Sequence, residues 1–415
     1  VGQRSAVCLL TVITAFGHAK GASAEDIAML GRLSATPELS KVSEAATIPV
    51  SVEAGMLVLD AIVDGHGPLP LMFDTGAHDF LTVATADALG LKVSGSSVAE
   101  DSNSRKLPVD IANTESVRIA AFELTNRLFA IIDLPSYLTD RGSAEPLAGV
   151  IGSHLLAAFA VRVDYQTKSL TLTPASEFRY HGNGEPLSAT CQAGAVSVLG
   201  EVDGNRGRFL IDTGSVGALT LQRRFVDASA LIARHPHAVP VKSIAASGPF
   251  DAVLMQVDHL DMGASRIDRP MVRYSANDTT GLPSDDIDGS IGYEVLRQFV
   301  VTFDCAHGRI WLERSSAFGT EADSGSAGFQ AIATPGRGFR VIAVLPNMPA
   351  AGAGLRVGDV ISQVDEHPTG SLSLAQFANL LRHPAGTPVR LSLARNGSEV
   401  PIRLILTDAL QSAFR

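Results

Sequence analysis

The chain has 415 residues, a length that predicts two or three domains of ordinary size. Its net charge is −10 and it carries no basic tract, which excludes nucleic acid as an expected partner. Apolar residues make up 46% against 18% charged, enough for real cores, and 38 glycines with only 6% aromatics favour turn-rich β structure over helical bundles.

Residues 1–24 read as a secretory signal. Arg4 gives a positive start, residues 6–16 form an apolar run too short to span a bilayer, and Ala22-Ser23-Ala24 supplies a small-x-small cleavage site before Glu25. A buried N-terminal helix is the alternative. Export predicts a periplasmic or secreted protein with no stable membrane anchor after cleavage, since Cys8 is misplaced for a lipid attachment box. Residues 25–46 are a short helix or a disordered segment. After cleavage Cys191 and Cys305 remain, as one disulfide or as two free thiols. No Cys/His spacing matches a zinc site, so neither metal nor cofactor is expected.

Residues 47–175 and 185–314 form an internal repeat. In the first copy an apolar strand, Leu69-Pro70-Leu71-Met72-Phe73, runs into Asp74-Thr75-Gly76 and continues through Phe80-Leu81-Thr82. In the second, Arg208-Phe209-Leu210-Ile211 runs into Asp212-Thr213-Gly214 and on to Ala218-Leu219-Thr220. Each triplet follows a hairpin marked by Asp-Gly, at Asp64-Gly65 and Asp203-Gly204. Downstream, Val150-Ile151-Gly152 answers Ser290-Ile291-Gly292, and two alternating strands close each copy. Residues 176–184 read as a polar connector and 315–327 as a flexible linker rich in Ser, Gly and acidic residues. Residues 328–408 have a different texture, with a glycine-bearing run from Pro349 to Ile361, a helical pattern and two final strands, and form a third domain.

An acidic residue on a Gly turn, repeated in one chain, is a means of bringing two carboxyls together. Like charges about 3 Å apart resist double ionisation, so the pair shares a proton and supplies a general acid and a general base at once. The Gly lets the turn hold its oxygens in the open, and the Thr is placed to bond across to the other copy. Such a dyad activates water for attack on a peptide carbonyl without metal or covalent intermediate.

The two triplets with their flanking hydrophobics and apolar-Gly elements resemble the retropepsin-like aspartic proteases. The resemblance implies two β-barrel lobes facing each other as an internal pseudo-dimer, Asp74 and Asp212 as catalytic residues, and Thr75, Gly76, Thr213 and Gly214 framing them. It implies that Ile151-Gly152 and Ile291-Gly292 pack beneath the dyad, with Ser290 a departure from the apolar pattern. It also implies hairpin flaps, for which residues 94–108 and 243–250 are expected as mobile segments with Ser, Gly or Asn tips. His78 and Asp79 have no counterpart in Val216-Gly217, so the chemistry does not demand them; they are expected to shape the cleft or lie on its surface, and His154 to be structural.

Residues 328–408 resemble a PDZ domain of the bacterial protease-associated kind. That implies a carboxylate-binding loop, assigned to Gly338-Phe339-Arg340-Val341, and a peptide C-terminus added beside the sheet edge. The combined expectation is a mainly β, exported aspartic endopeptidase whose PDZ module recruits protein or peptide substrates. The alternatives are a non-catalytic peptide-binding scaffold and a homodimer with two sites.

Overall fold

The computed structural model describes residues 17–18, 38–41, 44–192, 195–275, 286–320 and 326–408; the expected signal apart from Gly17–His18, and most of residues 25–46, lie outside them. Among the described residues the chain is mainly β, in sheets of 10, 15 and 6 strands.

The repeat has a direct structural image. Met56–Val63 turns back into His66–Phe73, and Ala195–Val202 turns back into Asn205–Ile211. Both turns place two successive residues at positive φ, Asp64 (49°) and Gly65 (79°) in one and Asp203 (48°) and Gly204 (76°) in the other. A two-residue turn that matches strand twist requires this, and Asp-Gly tolerates it. The two first strands also bury the same positions along their lengths. After each triplet a short strand, Phe80–Thr82 or Leu219–Leu221, leads into a helix. The first helix, Val83–Leu89, is capped at its start by the Thr82 hydroxyl, which accepts from the Thr85 N–H, and closed by Gly90 at φ 65°.

The apolar-Gly elements become inserted strands. Gly149–Ile151 lies parallel to His66–Phe73 and antiparallel to Phe80–Thr82, and Gly289–Ile291 does the same in the second copy. Glycine is needed at the first position of each, because a Cβ at Gly149 would collide with the Phe80 carbonyl and one at Gly289 with that of Thr220. The closing strands then join the copies into one sheet: Phe159–Asp164 pairs with Ser169–Pro174 on one side and with Phe299–Asp304 of the second copy on the other. Cys191 and Cys305 are disulfide-bonded, with Cα atoms 5.7 Å apart, which fastens Glu185–Gln192 to the end of Phe299–Asp304.

The connectors are tied down where they are described. Tyr180, in the polar stretch 176–184, stacks on Trp311 with centroids 3.9 Å apart, and its hydroxyl accepts from the Gly184 N–H at 2.6 Å. At the start of the expected flexible linker Ala317 is buried and Phe318 meets Phe299 edge-on at 5.3 Å; at its end Ser326 bridges Thr407 and Ala327 is buried. A few apolar side chains and one strand bridge anchor the two described ends of a segment whose polarity and small residues suggested slack. Residues 321–325 lie outside the described set.

The C-terminal sheet runs in the order Phe329–Thr334, Gly338–Val344, Val360–Val364, Pro388–Arg395, Ser398–Ile405. Its helix Leu374–Leu380 opens on a reciprocal Ser373–Gln376 capping box, and Phe377 stacks on Phe339 at 3.9 Å to form the core. Among the described residues no helix is long and apolar enough to cross a membrane. One apolar cluster runs through both repeat copies; a second joins Met72, Phe80 and Val216, beside the triplets, to Ile244 and Ala246 and on to Phe329, Phe339 and Phe377.

Candidate functional site

The two Asp-Thr-Gly turns meet and are cross-linked. Asp74 N–H donates to the Ile151 carbonyl at 3.0 Å and Asp212 N–H to that of Ile291 at 2.9 Å, so each turn rests on its inserted strand. The Thr75 hydroxyl donates to the Ile211 carbonyl (2.6 Å) and accepts from the Thr213 N–H (3.1 Å). Reciprocally, the Thr213 hydroxyl donates to the Phe73 carbonyl (2.9 Å) and accepts from the Thr75 N–H (2.9 Å). Thr supplies both a donor and an acceptor in a buried place, which neither Val nor Ala does. A side chain at Gly76 would strike the Asp212 carboxyl, and one at Gly214 would overlap that of Asp74. Gly152 and Gly292 are equally constrained, against the carbonyls of Ala77 and Ser215. The structure therefore brings Asp74, Thr75, Gly76, Ile151, Gly152, Asp212, Thr213, Gly214, Ile291 and Gly292 into one constellation.

One oxygen of each carboxyl is bonded to backbone: Asp74 Oδ1 accepts from Gly76 N–H at 2.8 Å, and Asp212 Oδ1 from Gly214 and Ser215 N–H, each at 3.0 Å. The other oxygens, Asp74 Oδ2 and Asp212 Oδ2, are shielded from solvent and have no hydrogen-bond partner. Burial raises Asp74 well above the carboxylate range, and the neighbouring Asp212 charge raises it further. Burial pushes Asp212 up to about 7, against the pull of the Gly214 and Ser215 N–H groups and of the Ser290 hydroxyl. Burial and mutual charge thus favour a protonated carboxyl in the pair above the ordinary carboxylate range. Ser290, a departure from the apolar pattern in sequence, acts directly on the dyad.

The expectation that the turns hold their oxygens in the open is not met: Asp74 and Asp212 are both fully buried. Val93–Glu100 with Lys106–Ile119 and Val239–Ala245 with Gly248–Gln256 occupy the expected flap positions. Asp101 Oδ1 accepts from the Asn103 and Arg105 N–H groups and orders the first tip, while Asp101 Oδ2 accepts from the Ser247 N–H of the second at 2.9 Å. Ala99, Asp101, Ser243, Ile244, Ala245 and Ala246 are all buried. Composition pointed to mobile tips, yet here they are pinned to each other.

His78, Asp79 and His154 are buried, not at the surface, and form a network with no counterpart among the described residues of the second copy. Asp79 accepts from the Gly152 N–H (2.7 Å) and pairs with Arg127, while His78 Nδ1 lies 3.2 Å from His154 Nε2. Burial opposes ionising Asp79, but Arg127 and His154 outweigh it and hold the carboxyl well below its ordinary range. The network braces the Gly152 side of the first turn. In the second copy a buried arginine, Arg273, reaches the Thr220 hydroxyl at 3.1 Å, and burial pushes it down to about 10 against the favourable charge of Asp212. A separate group, Asp203, His235 and Asp258, gathers in the second copy; His235 Nε2 already sits 2.6 Å from Asp203 Oδ2 and the His259 N–H donates to Oδ1, so direct hydrogen bonds account for it.

The assignment of a carboxylate-binding loop to Gly338-Phe339-Arg340-Val341 is corrected. These residues lie in a strand with neighbours on both sides, Phe329–Thr334 and Val360–Val364, and the Val341 N–H already donates to the Asp359 carbonyl at 2.8 Å. An added peptide strand needs free N–H and C=O groups along an edge. Phe329–Thr334 is such an edge, at one end of the strand order, with Ser398–Ile405 at the other. Ala327-Gly328-Phe329 lead into it, and Gly328, at φ 78°, packs where a Cβ would collide with Met348. The signal that could have found this edge is the hairpin turn Pro335-Gly336-Arg337, which makes 338–344 the second strand rather than the first.

The family model described as "PDZ domain" matches residues 340–395. Among curated proteins, the periplasmic serine endoprotease DegP of Escherichia coli K12 is 38% identical over 76 residues, 18% of this chain and 16% of that protein. The carboxy-terminal-processing protease of Bartonella bacilliformis is 32% identical over 74 residues, 18% of this chain and 17% of that one. Among solved structures, the aspartic proteinase from Irpex lacteus has a TM-score of 0.41 at 13% identity, covering 66% of this chain and 99% of that one. Basic 7S globulin from soybean has a TM-score of 0.38 at 13% identity, covering 67% and 97%. The chain spans about a sixth of the length of the curated relatives named, and its C-terminal module is a PDZ domain.

Proposed function

We propose that the protein is an exported aspartic endopeptidase, with two retropepsin-like lobes forming an internal pseudo-dimer around one dyad and a PDZ module that binds peptide or protein substrates. The observation that carries this reading is the pair of Asp-Thr-Gly turns bonded to each other through Thr75 and Thr213 with their carboxyls adjacent and buried. Asp212, once ionised, takes a proton from water as it attacks the scissile carbonyl, and protonated Asp74 gives its proton to the carbonyl oxygen; as the C–N bond breaks, Asp212 passes its proton to the leaving amine and Asp74 takes one back from a gem-diol hydroxyl. The periplasmic placement rests on the N-terminal signal pattern and on the PDZ-bearing relatives named above.

The test is hydrolysis of a denatured protein by the purified chain. Activity is expected to survive chelators and to fall at least about a hundredfold in Asp74→Asn and in Asp212→Asn. Full activity in either variant rejects the shared dyad, and no activity in the unaltered chain with its flaps free favours the scaffold reading.

A further inference from the structure

We propose that the PDZ module is the latch of the cleft: it holds the two flaps shut over the dyad by gripping the second flap and by seating a segment of the first lobe against its own peptide-binding edge. The proposal rests on the reading of the Asp pair as a catalytic dyad and adds its regulation.

The grip is made by Gln330, on the edge strand Phe329–Thr334. Its Oε1 accepts from the Lys242 N–H at 2.7 Å and its Nε2 donates to the Lys242 carbonyl at 2.8 Å. Lys242 lies on Val239–Ala245, which is itself the end strand of its sheet. One amide side chain thus supplies the two bonds that a neighbouring strand would make to that residue. Gln330 is 6% exposed, so both bonds are made out of water, where leaving either backbone group unmet is costly.

The first lobe completes the contact. Ser136–Thr139 lies against Phe329–Thr334, and a Cβ at Gly142 would collide with the backbone of Ser371–Ser373, at the start of the PDZ helix. A peptide added to this edge would run between that strand and that helix, the two elements the first-lobe segment touches. Tyr137 lies between the second flap and the module: its hydroxyl sits 3.4 Å from where a Cβ on Gly248 would be, and the charge of Arg340 reaches it. Leu138 is buried in the same apolar cluster as Phe329 and Phe377.

The edge strand records the result. Phe329, Gln330, Ala331, Ile332 and Ala333 are all buried, although alternate residues of a strand point to opposite faces. One face is covered by the module's own core and the other by the flap and first lobe. The flap tips are joined through Asp101 and Ser247, so holding the second holds the first. An incoming peptide must displace the first-lobe segment, and doing so unseats the flaps.

Amide hydrogen exchange of the full chain tests the latch without relying on activity. In Gln330→Ala and in the near-isosteric Gln330→Glu, which cannot donate to the Lys242 carbonyl, residues 99–101 and 242–248 are expected to exchange about tenfold faster. A synthetic peptide of residues 134–142, at millimolar concentration to compete with its tethered copy, is expected to do the same to the unaltered chain. Hydrolysis of denatured protein should rise in step. Flap exchange unchanged in both variants overturns the latch, whatever the activity. Faster exchange with no hydrolysis in any form supports the latch and removes the peptidase reading; unchanged flap exchange with hydrolysis present removes the latch and keeps the peptidase.

Discussion

Asp74 and Asp212 stand apart from the other acidic residues because burial raises both above the ordinary carboxylate range, the Asp212 charge adding to the effect on Asp74. The sign of the resulting stability dependence follows from linkage. The folded value of Asp212, about 7, lies above the ordinary 3.8, so the native state binds the extra proton between them. This contribution is fully present below about pH 4 and is lost as pH rises through about 7. Asp212→Asn cannot ionise and keeps an acceptor for the Gly214 and Ser215 N–H groups. Its melting temperature by calorimetry is expected to exceed that of the unaltered protein by about 5 °C at pH 8, with the gap closing toward pH 4. Asp79 lies only five residues from Asp74 yet behaves oppositely, because Arg127 and His154 face it. Sequence gave both triplets; it held no sign that Arg127, on a strand 48 positions away, would decide the charge of Asp79.

At the scale of elements, what was legible was whatever depends on near neighbours in the chain. The Asp-Gly hairpins, the apolar strands before each triplet and the apolar-Gly strands all stand where patterning placed them, because period-2 burial and positive-φ turns are local requirements. The PDZ edge was misplaced by one strand because two successive strands with the same apolar pattern give no clue to which is paired on both sides. The disulfide is another long-range matter: Cys191 and Cys305 are 114 positions apart and come together through the pairing of Glu185–Gln192 with Arg309–Arg314. Replacing both by alanine is expected to cost about 2–4 kcal/mol of stability, read as a lower urea midpoint, because the bridge closes a long loop in the unfolded chain.

For the whole molecule, one pair of carboxyls requires both copies. Strands of the two copies share a sheet through Phe159–Asp164 and Phe299–Asp304, and the four threonine bonds cross between them. A tethered partner is present at high effective concentration, so mixing Asp74→Asn chains with Asp212→Asn chains is expected to restore no peptidase activity; recovery toward a quarter or more of the native rate would favour exchange of lobes between chains. The sequence by itself determined the duplicated triplets, the strands that carry them and the presence of a third, PDZ-like unit, since each is written in contiguous residues with a short period. Only the tertiary structure decided that Asp101 ties the first hairpin to the second and that Gln330 ties the second to the PDZ edge. The reason is physical: each of those contacts satisfies a backbone group with a polar side chain 88 or more positions away, and one Gln or Asp among many carries no local mark of the partner it will meet.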